Sequence, residues 1–165
     1  MSTDPLEKLK GLDEALPHFP DGRIDYTHAN VAAVIIVFVQ FQDQILLLKR
    51  SEKVGSYRGK WSAVAGYLDS LGALKDKVHE ELREELNLKE ELIASMTFGT
   101  PYRFLDKTLG CTWLIHPVIV DLKERPVITL DWEHTEYAWI TPEDIEQYDA
   151  VPNLKRSWQQ CPKHL

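Results

Sequence analysis

At 165 residues the chain is long enough to bury a sizeable core in one domain, and 44% hydrophobic with 27% charged residues is the composition of a soluble globular protein. A net charge of −7 argues against a partner bound along a nucleic-acid backbone, while leaving room for a small phosphate ligand whose charge a metal ion offsets. The longest apolar run, Val31 to Val39, is too short to span a bilayer. No signal peptide is legible in the polar, acidic N-terminus, and Cys111 and Cys161 have neither metal-ligand nor redox spacing. These features predict reduced thiols in a cytoplasmic protein with no membrane contact.

In chain order, Leu6, Leu9, Leu12 and Leu16 stand at helical spacing behind Pro5 and predict a helix from Asp4 to Leu16, outside the main sheet. Such a stripe covers a core or meets a second copy, so a homodimer is one expectation. His18 to Arg23 reads as a turn around Asp21-Gly22. Val31 to Phe41 and Gln44 to Lys49 are β-branched and apolar, joined by Gln42-Asp43, and predict a hairpin buried on both faces. Ser51 to Lys60 is a loop, Trp61 to Leu68 a short strand, and a helix follows Asp69-Ser70-Leu71-Gly72 as far as Leu86. Glu90 to Thr97 reads as a connector, and Phe98 to Phe104 and Thr112 to Asp121 as a second hairpin around Asp106 to Gly110. Val127 to Leu130 is expected as a strand, as is the stretch ending in Trp139-Ile140. Thr141-Pro142-Glu143-Asp144 has the chemistry of a helix start, and a last helix runs from Leu154 to Gln160.

The helix ending at Leu86 carries Glu80, Glu81, Glu84 and Glu85, four carboxylates within six residues. At about 100° per residue, Glu81, Glu84 and Glu85 share one arc, with Leu74, Val78, Leu82 and Leu86 mostly on the other side. A bare run of this kind is commonest as a solvated acidic face. Here it follows the apolar stretch Trp61 to Gly66, and the whole resembles the Nudix box, G-x5-E-x7-R-E-U-x-E-E-x-G-U with U apolar. Gly66, Glu81, Leu82, Glu84, Glu85 and Leu88 match, while Gly72, Glu80 and Asn87 stand where the pattern has Glu, Arg and Gly. The resemblance covers roughly residues 31 to 145 and is strongest over 61 to 88.

What the resemblance implies is a Nudix-type α/β/α sandwich with a mixed sheet between helices. The chain is then one domain, with residues 1–28 as an N-terminal helical extension, 31–145 as core and 153–161 as a C-terminal helix. It also implies a metal-dependent pyrophosphohydrolase that cleaves the P–O–P bond of a nucleotide or a nucleoside diphosphate linked to another group. Glu81, Glu84 and Glu85 would hold Mg²⁺ or Mn²⁺. A further carboxylate before Trp139 would act on the attacking water, with Glu133 the first choice and Glu136 the second; His134 beside Glu133 is the one histidine to watch.

Where the pattern fails, substitutes are near. Glu80 reverses the charge of the box arginine, and Lys77, at i−4 to Glu81, is the expected replacement cation ahead of Arg83. Asp69 partly answers for the acid missing at Gly72. Arg50, Arg58 and Arg103 (beside Tyr102 and Phe104) are candidate contacts for phosphate or base. The rival reading is a Nudix-fold binding or sensor module without efficient turnover. An isomerase acting on an allylic diphosphate is a third, for which no Cys or Glu motif is evident.

Overall fold

The computed structural model describes residues 5–163, with side chains from Lys8 onward; Asp4 and the side chain of Leu6 lie outside the described residues. Helix α1 (Pro5–Ala15) is followed by β1 (Val31–Phe41), β2 (Gln44–Arg50), β3 (Trp61–Ser62) and β4 (Val64–Tyr67). Helix α2 (Leu74–Leu86), strands β5 (Ile93–Phe98), β6 (Tyr102–Asp106), β7 (Cys111–Leu122) and β8 (His134–Ile140) and helix α3 (Leu154–Gln159) complete the order. Two 3₁₀ turns, Glu90–Leu92 and Pro142–Gln147, precede β5 and α3.

The near-continuous apolar runs of β1 and β7 are buried on both sides, and the two strands pair in parallel from Val31↔Thr112 to Gln40↔Asp121 at the centre of the sheet. Along its other edge β1 has two partners. Strand β4 lies antiparallel to Val34–Val37, and β2 joins only at Gln40 and Phe41 before leaving to pair with β8. On β7 the same division occurs, with β6 along Cys111–Ile115 and β5 along Val118–Leu122. The handover falls around Pro117, which has no N–H to give a partner. Each central strand thus belongs to two half-sheets, and the half formed by β6, β7, β1 and β4 is the floor of the site described below.

Alternation decides which side chains meet which helix. Ala33, Ile35, Val37 and Val39 share a core with Val78, Leu82 and Leu86 of α2 and with Leu9, while Leu12 and Leu16 pack partly buried against it. The leucine stripe of α1 therefore has an occupant within the chain. On the opposite face Ala32, Val34, Ile36 and Phe38 pack with Ile145, Leu154 and Cys161, and Phe38 meets Trp158 edge-on at 5.3 Å. The architecture is an α/β/α sandwich around a mixed sheet, as the sequence predicts.

Four local expectations are corrected. The second half of the expected connector 90–97 is strand β5, whose alternation is broken by an irregular register between Ile93 and Ser95. Residues 127–130 are not a strand: Thr129 N–H donates to Leu86 O, and Ile128 and Leu130 pack on the α2 side of the core. The single strand expected over 61–68 is divided at Ala63, because β3 pairs with β2 and β4 with β1. The expected helix at 142–148 is a 3₁₀ turn, and the Thr141 hydroxyl donates to the Asp144 carboxylate instead of capping a backbone N–H.

Candidate active site

Helix α2 ends as its sequence requires. Asn87 takes the left-handed conformation (φ 53°), its N–H donating to Arg83 O and that of Leu88 to Leu82 O, so asparagine fills the glycine position of the box without losing the cap. The acids on this helix differ in depth. Glu81 and Glu85 are buried, at 8% and 2% exposure, although they sit outside the leucine stripe, whereas Glu84 is exposed and Glu80 half-exposed. The cover over Glu81 is β4: a Cβ on Gly66 would stand 2.3 Å from Glu81 Cδ, so only glycine permits this strand to pass so close.

Lys77 balances this end of the site. Its ammonium lies 3.0 Å from Glu80, 3.1 Å from Glu81 and 3.3 Å from Asp69, with its own side chain only 11% exposed. Burial alone would lower the Lys77 pKa, but Glu81, Glu80 and Asp69 outweigh it and raise it. Burial also pushes the Glu81 carboxyl up to about 7, against the downward pull of Lys77. Glu80, the charge-reversed position of the box, is therefore paired, and by the cation expected from sequence. Gly72 contributes nothing comparable; only the Ser70 hydroxyl, at 3.8 Å, approaches the place a side chain would begin.

Glu85 points the other way, to the loop before β8. Donor atoms of Glu85, Glu133 and His134 lie within 4.8 Å of one another, and Glu85 Oε2 is buried with no hydrogen-bond partner among the described residues. Burial, followed by the neighbouring Glu133, pushes the Glu85 carboxyl well above the usual range. Antiparallel pairing of β8 with β2 brings this loop here. Ser51 N–H donates to Glu133 O at 2.7 Å, and Asp131 accepts from Glu133 N–H at 3.1 Å and lies 3.2 Å from His134 Nδ1. An orphaned buried carboxylate oxygen beside a second carboxylate and an imidazole is a donor set suited to a divalent cation.

Beside these acids lies a cavity of about 600 Å³. Glu80, Glu81, Glu84, Glu133 and Lys77 line it together with Arg50. Arg50 is half-buried, its Nε donating to Ser56 O, and burial lowers its pKa against the pull of Glu133 and Glu85. The remaining candidates lie elsewhere. Arg58 is exposed, donates to Val54 O and is not among the lining residues. Arg103 is exposed over a separate groove with Lys8 and Leu12, because the alternation of β6 that turns Tyr102 and Phe104 into the cavity turns Arg103 away. Glu136 is exposed on β8 and paired with Lys49 at 3.3 Å.

Sequence reasoning missed most of the aromatic wall. Tyr67 stacks on Tyr26 (centroids 5.3 Å, 21° between planes) and lies 6.3 Å from Trp113, whose Nε1–H donates to the Tyr57 hydroxyl. Tyr57 in turn donates to Asp106. The available signal was period-2 spacing along β4, β6 and β7, which places Tyr102, Phe104, Trp113 and Ile115 on one face of the half-sheet.

Fold and site together define a sandwich whose acidic helix faces an aromatic-walled cavity. A family profile described as the NUDIX domain matches residues 29–161, and the chain belongs to that family as a Nudix-type hydrolase. The curated relatives include proteins named nucleoside triphosphatase NudI. That of Escherichia fergusonii is 27% identical over 121 residues, covering 70% of this chain and 86% of the relative. The one from Klebsiella pneumoniae is 26% identical over 125 residues, with the same coverage. Among solved structures, a MutT NUDIX hydrolase from Burkholderia pseudomallei superposes with a TM-score of 0.65 at 20% identity, over 79% of this chain and 97% of that one. The E. coli dihydroneopterin triphosphate pyrophosphohydrolase gives 0.64 at 17%, over 78% and 92%. At such identities these two likenesses show the fold.

Proposed function

We propose that the protein is a divalent-metal-dependent pyrophosphohydrolase acting on a nucleoside triphosphate, or on a nucleoside diphosphate linked to another group. The observation that carries the reading is the buried, unpartnered Glu85 oxygen beside Glu133 and His134, one helical turn from buried Glu81. The nucleoside triphosphatase names of the curated relatives support the substrate class.

Glu81, Glu84 and Glu85 would hold Mg²⁺ or Mn²⁺, since hard carboxylate oxygens suit both ions. Such an ion neutralises charge on a leaving phosphate and acidifies bound water. The other parts of the site belong to the chain. Glu133 accepts the proton of the attacking water, whose oxygen bonds to one phosphorus as the bridging oxygen leaves with its electron pair. Lys77 fixes the orientation of Glu81, Arg50 offers a guanidinium to a phosphate, and Tyr67 and Trp113 give the base an apolar wall.

The test is product analysis on a panel of nucleotides with Mg²⁺ or Mn²⁺ and with EDTA. Metal-dependent cleavage of an anhydride bond is expected. Glu133→Gln should lose about 100-fold or more in kcat, while Glu136→Gln retains activity. Gly72, which removes one box carboxylate, favours a second reading as a nucleotide sensor. Tight binding without turnover of any nucleotide would select the sensor.

A further inference from the structure

The family match begins at residue 29, yet Arg23, Tyr26 and Thr27 line the same cavity as the acidic helix. The stretch that carries them is fastened to the loop joining β4 to α2. Ile24 is buried and its N–H donates to Asp69 O at 2.7 Å; the Tyr26 hydroxyl donates to Leu68 O at 2.6 Å. A tight turn presents the arginine: Phe19 N–H donates to Arg23 O, and Gly22 sits at φ 92°, where a side chain would be strained.

Three cations line the cavity, and their situations differ. Lys77 is occupied by three carboxylates, and Arg50 is half-buried. Arg23 has a side chain 55% exposed, with Nε held by Asp21 at 2.7 Å and one terminal nitrogen 3.8 Å from Asp69. Of its guanidinium nitrogens, hydrogen bonds among the described residues use only Nε. Beside Glu80 and Asp69 the Lys77 ammonium is taken up by carboxylates, and Arg23, 3.8 Å from Asp69, is the exposed cation on that side of the cavity.

We infer that Arg23 is a specificity-determining residue: its guanidinium binds a phosphate beyond the nucleoside-proximal one, so the stretch ahead of the family match reads the length of the phosphate chain. This rests on the reading of the site as a nucleotide pyrophosphohydrolase. The Asp21 pairing holds the fork in place, so little side-chain freedom remains to be lost on binding.

The experiment compares wild type, Arg23→Ala and Arg23→Lys. Calorimetric titration with an α,β-methylene nucleoside triphosphate and with the nucleoside monophosphate, both with Mg²⁺, is joined to KM and kcat on the natural triphosphate. Arg23→Ala should weaken triphosphate binding by about tenfold or more, the effect of a lost charge-assisted hydrogen bond, and leave monophosphate binding within about twofold. KM should rise with kcat nearly unchanged, and Arg23→Lys should recover part of the loss. Equal weakening of both ligands, or unchanged triphosphate binding in Arg23→Ala, overturns the assignment and leaves the functional reading standing. Failure of the wild type to bind any nucleotide overturns both. Arg23 is exposed, so its variants should keep the wild-type melting temperature.

Discussion

Replacing Lys77 by methionine keeps the aliphatic stem and removes the one ammonium shared by Glu80, Glu81 and Asp69. At an effective dielectric of about 20, each charge pair near 3 Å is worth roughly 5 kcal/mol of attraction before desolvation. The net value depends on burial. Loss of a partner from a buried pair costs about 3–5 kcal/mol, whereas an exposed pair is worth about 1 kcal/mol or less. Lys77 and Glu81 are each 11% exposed in their side chains and Glu80 is 41% exposed, so Glu81 dominates. The expected loss is about 3 kcal/mol, equivalent to a fall of roughly 6–12 °C in Tm for a chain of this size. The measurement is urea and thermal unfolding in EDTA, with double-mutant cycles pairing Lys77→Met with Glu81→Gln and with Glu80→Gln. Binding of Mn²⁺ followed by electron paramagnetic resonance gives a second readout, expected to weaken as Glu81 loses its fixed orientation. A Lys77–Glu80 coupling as large as that of Lys77–Glu81, or unchanged stability and Mn²⁺ affinity in Lys77→Met, would refute the reasoning.

Glu85→Gln keeps the shape of a buried carboxyl that its surroundings push towards the neutral form, so unfolding in EDTA should show no loss of stability while Mn²⁺ affinity falls about tenfold or more. Gly66→Ala drives a methyl into the Glu81 carboxyl, and a cost of about 1–3 kcal/mol in urea unfolding is expected together with loss of turnover. Buried His116, 3.3 Å from Val34 O, has its pKa held below the ordinary 6.5 by burial, with a smaller push from Lys8. The unfolded chain therefore binds more protons than the native one below pH 6.5. Stability is present above that value and declines as pH falls towards the folded pKa. His116→Asn should make the acid limb of a stability-versus-pH curve shallower; an unchanged limb would exclude this residue as its source.

The sandwich was legible because burial on both faces forces β1 and β7 into continuous apolar runs, and because α2 advertises its leucine side every three or four residues. Its metal-binding promise was legible in the E-U-x-E-E core, and Lys77 followed from helical spacing alone. Depth was not. Periodicity gives the direction of Glu81 and Glu85 but cannot show that Gly66 and the β8 loop close over them. Arg103 stands beside Tyr102 and Phe104 in sequence, but a strand sends such neighbours to opposite faces. The role of residues 23–27 was hidden because Arg23 and Tyr26 acquire meaning only where Ile24 and Tyr26 bond to the backbone at Asp69 and Leu68, more than 40 positions later.

The parallel pairing of β1 with β7 has a consequence for how the chain folds. Its partners, such as Val31 and Thr112, are 81 positions apart (112 − 31), and β1 meets its sequence neighbour β2 at only two registers. Local hairpins can therefore do little to close the sheet, and the long loop must be ordered before its contacts reward the entropy lost. Glu85 and Glu133 come together only when that closure has brought α2 and β8 onto the same core. In refolding from urea, recovery of Mn²⁺ binding should coincide with the slow, global phase rather than with early gain of helix.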